Sequence, residues 1–462
     1  MRKNIFLILI ASLLIFASSF AQDITGKWNG ILEIPGMQLR IIFNIEQNDD
    51  DYSAKLDSPD QGVEGIPCDE TLFRENELTI KINSIGAEYK GVFKNDTIKG
   101  VFNQMGVEIP LKLTRNEVIK AEIKRPQEPT PPFPYYSEDV VFTNNRDNVT
   151  LAGTLTLPSK NGKYPVAVMI SGSGPQNRDE ELLGHKPFLV IADYLTRNGI
   201  GVLRFDDRGT AESSGDFNSA TTEDLSYDVE AAVNYLLTRN DINKNKIGLI
   251  GHSEGGIIAP MVAVRNKNVS YIVLMAGTGV PGYELILMQS YAINKASGYS
   301  DEELAKKEEI NRKAIELIIH NKNADSLETI LDDYFEKVFS EDTSLTADQK
   351  EVQKNMIISQ LTSPWMRYFI NHDPSTVLEK VDIPVLAING SKDLQVPAKE
   401  NLSAIKSALN KRRNKNFKIV EIKGLNHLFQ ESETGLPAEY AIIEQTISPK
   451  ALKVMLDWIK KR

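Results

Sequence analysis

Six short apolar runs beyond about residue 160 constrain the fold more than any other feature of the chain: YPVAVMI, GIGVLRF, KIGLIGH, SYIVLMA, IPVLAIN and FKIVEI. Each ends in a turn bearing glycine, aspartate or asparagine. A strand that is apolar on both faces must be covered on both faces, which is the condition of a parallel sheet flanked by helices. The intervening stretches supply those helices. In TTEDLSYDVEAAVNYLL, residues Leu225, Val229, Ala232, Val233 and Leu236 fall on one helical stripe, and Thr221 and Asp224 have capping-box spacing. The pattern predicts a doubly wound α/β domain over residues 137–462.

One segment interrupts the alternation. Residues 281–378 are rich in Glu, Lys, Ile and Leu and contain no convincing strand. A structureless loop of that length has no place in a compact domain, so a helical lid over one end of the sheet is expected. Its charge runs read as solvated helix faces.

The N-terminal part reads differently. Residues 22–123 carry short alternating runs (GKWNGILEI, LRIIFNIEQ, ELTIKINSI, AEYKGVFKN, TIKGVFNQ, EIPLKLTR) broken at hairpin intervals by Asn, Asp and Gly. They predict a small all-β accessory domain, a barrel or a sandwich. Residues 124–136, KRPQEPTPPFPYY, favour extended geometry through their prolines and read as a semi-rigid linker. At the very start, Arg2 and Lys3 precede an apolar run from Ile5 to Phe16 and then Ser19-Phe20-Ala21. That run is too short to span a bilayer and suits a cleaved signal over residues 1–21, with mature protein starting at Gln22. The expected location is periplasmic or extracellular in a bacterium, with no stable membrane insertion after cleavage.

Chemistry enters with Gly251-His252-Ser253-Glu254-Gly255, which matches G-x-S-x-G between the strand KIGLI and the helix-compatible GGIIAPMVAV. In open α/β sheets ligands bind beyond the carboxyl ends of the strands, and Ser253 stands there. A serine hydroxyl needs a base to become a nucleophile. Of the five histidines (His185, His252, His320, His372 and His427), His252 adjoins the serine and should point away from it, and His320 and His372 fall in the insertion. His427 follows the last strand and is the expected base. Asp393 follows IPVLAING in the same way and is the expected carboxylate, whereas Asp382 starts that strand at the wrong end. The order Ser253, Asp393, His427 is the one this sheet architecture uses. The oxyanion would take the backbone N–H of Glu254 and of Ser173, in the glycine loop after YPVAVMI.

The motifs SGSGPQNRDE, LRFDDRGTAESSG, GHSEGG, GSKDLQVP and GLNHLF resemble those of the α/β-hydrolase superfamily. The nearest likeness is to bacterial serine esterases of the branch that includes prolyl-oligopeptidase-like and serine-aminopeptidase-like hydrolases. It covers about residues 135–462 and leaves out the β domain. It implies a carboxylesterase of small-molecule esters that uses neither metal nor cofactor, with Asp207 and Arg208 bracing loops beside the site. The usual D-x-R-G-x-G turn departs here at its last glycine, replaced by Ala211.

A net charge of −10 and a pI near 5.3 argue against nucleic acid as a partner. Cys68, the sole cysteine, excludes an intramolecular disulfide and paired-cysteine zinc sites, and is expected to be a small buried residue. Three readings compete. An esterase and a peptidase share the acyl-enzyme chemistry and would differ in a carboxylate placed for a substrate amine; no acid in the insertion stands out for that. A non-catalytic binding protein is disfavoured because all three candidate groups are present. A coenzyme-A thioesterase is disfavoured by the export signal. Oligomeric state is not legible.

Overall fold

Two-residue hairpin turns shape the N-terminal part of this computed structural model, which describes residues 23–34, 37–49, 51–61, 63–104, 107–118, 124–321, 324–342, 345–411 and 414–462. The expected signal, residues 1–21, and Gln22 lie outside the described residues. The principal division of the chain into two compact units falls between Lys120 and Ala121.

Among the described residues the smaller unit holds nine strands: β1 (Gly26–Ile34), β2 (Met37–Asn48), β3 (Asp51–Ser58), β4 (Val63–Pro67), β5 (Glu70–Arg74), β6 (Glu77–Ile82), β7 (Ala87–Lys94), β8 (Thr97–Gln104) and β9 (Val107–Thr114). Positive φ at Glu75-Asn76 and at Asn95-Asp96 closes the β5–β6 and β7–β8 hairpins, the turn whose twist matches that of the strands. The sheet order is β4-β3-β2-β1-β9-β8-β7-β6-β5, and β3 also approaches β5, so the sheet curls on itself. Trp28, Phe43, Leu78, Ile80 and Tyr89 fill its interior. Cys68 is half-buried rather than buried; desolvation, with Asp69 nearby, pushes its thiol up to about 12.

The larger unit runs β10 (Tyr136–Asn144), β11 (Val149–Leu157), β12 (Tyr164–Ile170), α1 (Pro187–Arg197), β13 (Gly201–Phe205), α2 (Thr222–Thr238), β14 (Ile242–His252), α3 (Gly255–Arg265) and β15 (Val269–Met275). Six helices follow without a strand among the described residues: α4 (Gly282–Ala296), α5 (Asp301–His320), α6 (Ala324–Ser340), α7 (Ala347–Thr362), α8 (Pro364–Asn371) and α9 (Ser375–Leu378). The unit ends with β16 (Val385–Gly390), α10 (Ala398–Lys411), β17 (Phe417–Ile422) and α11 (Pro449–Ile459).

Its sheet has the order β10-β11-β13-β12-β14-β15-β16-β17, parallel from β13 onward and antiparallel at β10 and β11. This is the α/β-hydrolase fold. Strand alternation sends Val166, Val168 and Ile170 into a core with α2, α3 and α10, and Ala167 and Met169 into a second core with α1 and α11. The sheet is therefore buried on both faces, as the doubly apolar runs require. The capping box forms at α2, where Thr221 accepts from the Asp224 amide and the Asp224 carboxylate accepts from that of Thr221. The helices α5 to α8 build their own small core from Ile315, Ile318, Leu331, Phe335, Ile358 and Ile370.

Part of the proline-rich segment is tied down. Arg125 donates to the carbonyls of Ala441 and Ile443, both at 2.7 Å, and the Gln127 side chain bonds Thr446 and Ile447.

Candidate active site

Parallel strands with aligned ends deliver their following residues to one edge. Ile170 of β12 pairs with Gly251 of β14, and His252 with Met275 of β15, so the turns after these strands are neighbours. Ser253 occupies the β14–α3 turn at φ 51°, in the left-handed region that costs a non-glycine residue free energy. Its amide donates to the Met275 carbonyl at 2.8 Å. The flanking glycines are steric necessities, since a Cβ at Gly251 would collide with the Gly255 carbonyl and one at Gly255 with that of Ile170. The turn is held so tightly that the serine side chain alone projects from it.

Asp393, in the turn after β16, and His427, after β17, come together at the same edge. His427 Nδ1 lies 2.8 Å from Asp393 Oδ2, and both residues are buried. The other carboxylate oxygen accepts from the amides of Gln395 and Val396 at 2.9 and 2.8 Å, which leaves it little rotational freedom. The loop carrying His427 packs on the end of β16: Leu425 accepts from the Lys392 amide, and a Cβ at Gly390 would strike the Leu425 carbonyl.

Ser173 and Glu254 border the same cavity as Ser253. Among the described residues neither amide donates a hydrogen bond to protein, so both N–H groups are free to receive an acceptor. The Ser173 loop is braced by Asp207, whose carboxyl accepts from Ser171 Oγ at 2.8 Å and the Gln176 amide at 3.0 Å. Burial, with the nearby Glu254 and Glu180, holds the acid of Asp207 well above the usual carboxylate range. Arg208 makes a bidentate buried pair with Asp228 of α2 and a bond to Asp147 in the β10–β11 turn, so it braces that hairpin. Ala211, where the turn motif departs from glycine, sits at φ 46°.

Two groups were not singled out in the sequence. Glu180 is buried and uses one oxygen, Oε1, to accept from the Gly172 amide at 2.8 Å and to face His252 Nδ1 at 2.9 Å. His252 Nε2 lies 3.0 Å from the His427 carbonyl. His252 therefore points not away from the site but across it, its ring centroid 4.8 Å from that of His427. Both His252 nitrogens face acceptors, which suits an imidazolium. Burial opposes its charge, but the Glu180 carboxylate, the His427 carbonyl and Asp393 together outweigh burial and raise its pKa. No local pattern marks Glu180; only its place in a Gly-rich loop of resembling motifs could have drawn notice.

The second is the side chain of Glu254. It is buried, and Oε1 accepts from the Trp365 indole of α8 at 2.7 Å. Oε2 lacks a hydrogen bond of ordinary geometry, with the Thr222 hydroxyl its near polar neighbour. Burial raises its acid, against both contacts. The remaining histidines stand apart: His185 bonds Thr446 and Tyr440 and is driven down to about 4 by burial, while His320 and His372 end α5 and follow α8. Among the described residues no group of three or more His, Cys, Asp or Glu side chains is placed to hold a metal ion. No described helix is long and apolar enough to cross a membrane.

The sequence profile of the X-Pro dipeptidyl-peptidase family (S15 family) matches residues 147–422, more than half of the chain, including Ser173, Ser253 and Asp393 and ending five residues before His427. The chain belongs to this family. Its curated relatives include esterase EstD of Thermotoga maritima, 26% identical over 291 residues, a match covering 63% of this chain and 61% of the esterase. Uncharacterized protein YfhR of Escherichia coli O157:H7 is 27% identical over 174 residues, covering 35% of this S15 chain and 57% of its own length. The chain thus spans about three fifths of each of these relatives. Among solved structures, the Pyrococcus furiosus esterase PF2001 aligns at 16% identity and a TM-score of 0.43, covering 71% of this chain and 91% of the esterase.

Proposed function

We propose that this S15-family chain is an exported serine hydrolase that cleaves carboxylic esters through an acyl-enzyme on Ser253. The observation that carries the reading is the buried 2.8 Å contact of His427 with Asp393 at the sheet edge where Ser253 projects from a left-handed turn. His427 takes the Ser253 proton as Oγ attacks the ester carbonyl. Negative charge gathers on the carbonyl oxygen, where the Ser173 and Glu254 amides receive it. The tetrahedral adduct then collapses, and the imidazolium gives its proton to the departing alkoxide. Water repeats the sequence on the acyl-serine with His427 again as base, releasing the acid. Asp393 accepts from Nδ1–H throughout, holding the tautomer that leaves Nε2 free for Ser253.

The named esterase relative supports the ester reading. The family name favours a second one, a peptidase that removes dipeptides ending in proline. Such an enzyme needs an anion for the substrate's free amine. Glu254 adjoins the nucleophile in the chain, yet one of its oxygens is taken by Trp365, which weighs toward esters.

The test sets p-nitrophenyl acetate and butyrate beside an aminoacyl-prolyl nitroanilide, with Ser253→Ala as control. Ester turnover, a covalent organophosphate adduct on Ser253, and loss of both in Ser253→Ala are expected. More than a tenth of the wild-type rate in that variant would remove Ser253 from its role. Export is checked by whether mass spectrometry of the protein secreted by a bacterial host finds Gln22 at its N-terminus.

A further inference from the structure

Ser253, Ser173 and Glu254 border one cavity of about 890 Å³, most of whose remaining wall comes from the inserted helices. Ile293 of α4, Ile310 of α5, Val338 of α6, Ile357 of α7 and Phe369 of α8 line it. His427 does not. We propose that this cavity is the acyl pocket for an extended aliphatic chain, so that the substrates are esters of medium- to long-chain fatty acids rather than acetyl or butyryl esters. This rests on the serine-hydrolase reading above.

Three observations assign the cavity to the acyl side and to an apolar chain. His427 must reach the leaving oxygen to protonate it, so the alcohol departs on the His427 side. The cavity opens instead from the serine and from the two amides proposed to hold the carbonyl oxygen, so the group on the far side of that carbonyl, the acyl chain, enters it. Second, three of its polar wall residues are engaged by other protein groups. Asn311 and Asn294 both donate to Ser290, and Lys307 lies over the Tyr299 ring at 4.8 Å. Third, cavities of about 300–1,000 Å³ bury most of the surface of a drug-sized ligand, whereas an acetyl group would leave nearly all of this wall against water.

Each methylene carried from water into such a wall raises kcat/KM by at most about fourfold. The experiment uses the full-length protein with p-nitrophenyl acetate, butyrate, octanoate and decanoate below their micellar concentrations. Active sites are counted by organophosphate titration. A rise in kcat/KM of at least hundredfold from acetate to octanoate is expected. Ile310→Trp and Val338→Trp each fill the cavity from a different helix; each should lower the ratio of octanoate to acetate kcat/KM at least tenfold. If one fails to fold, the other and the wild-type series still decide. Acetate turned over as well as octanoate by the wild type would overturn the acyl-pocket proposal and leave the hydrolase reading intact. No turnover of any ester, with no covalent labelling of Ser253, would overturn the hydrolase reading itself.

Discussion

Replacing Glu180 tests whether a buried carboxylate that touches no reacting atom holds the site together. One oxygen of Glu180 serves two donors, the Gly172 amide and His252 Nδ1, and His252 in turn bonds the carbonyl of His427. Glu180→Ala leaves both donors without their carboxylate partner in a buried site. Each unsatisfied buried donor costs about 1–3 kcal/mol, and stripping one member from a buried ion pair costs about 3–5 kcal/mol. Because His252 can release its proton and relieve one donor, we expect a loss of about 3–4 kcal/mol for the alanine variant. Glu180→Gln should cost only about 1 kcal/mol, since its carbonyl oxygen, in the place of Oε1, still accepts from both the Gly172 amide and His252 Nδ1. Glu180 sits at φ 50°, and both replacements carry the same backbone cost, so their difference isolates the side chain. Urea unfolding followed by tryptophan fluorescence reads the stability, with Trp365 and Trp458 reporting on the larger unit. Ester turnover reads the consequence. Release of the Gly172 amide displaces its neighbour Ser173, so kcat in the alanine variant should fall about ten- to hundredfold with KM little changed, short of the loss of a whole oxyanion donor. Alanine and glutamine variants alike, both within about 0.5 kcal/mol and twofold in kcat of wild type, would refute the bracing role.

The same pair predicts a pH dependence. His252 is raised above its ordinary 6.5 by Glu180, with Asp393 and the His427 carbonyl also facing it, so the stability it contributes is complete below about pH 6.5 and fades as pH climbs through the raised value. The stability gap between wild type and Glu180→Gln should therefore be widest near pH 6 and narrow toward pH 9, measured by urea midpoints; a gap that widens with pH has the wrong sign. Ala211→Gly removes left-handed strain worth about 1–2 kcal/mol and adds unfolded-chain freedom worth about 0.5–1 kcal/mol, so a net gain of up to about 1.5 kcal/mol is expected in the same assay. A truncation starting at Lys124 keeps the Arg125 and Gln127 anchors to residues 441–447 and should unfold at higher urea than one starting at Tyr135, while both hydrolyse p-nitrophenyl acetate. Equal midpoints would show that these anchors add nothing.

Local pattern made much of this protein readable from its chain. Continuous apolar runs become β12 to β17 because a strand covered on both faces tolerates little polarity. The insertion over residues 281–378 becomes α4 to α9 because its apolar residues recur at helical spacing. Ser253, Asp393 and His427 were nameable because each follows a strand by a few residues, and parallel strands bring such positions to one edge. The elements that escaped are those whose local pattern is weak. Strands β3 to β5 are short or polar, and the antiparallel β10 and β11, with VVFT and TLAGTL, mix polar and apolar faces at the sheet margin. What only the tertiary structure decided is which distant groups meet. Glu180 and His252 stand 72 residues apart and Glu254 and Trp365 stand 111 apart. No periodicity encodes such pairs, because a hydrogen bond across a fold depends on how loops and inserted helices settle against the sheet. The acyl-sized cavity has the same origin, since its wall is shared among five helices whose apolar faces look alike in sequence and acquire a shape only when packed.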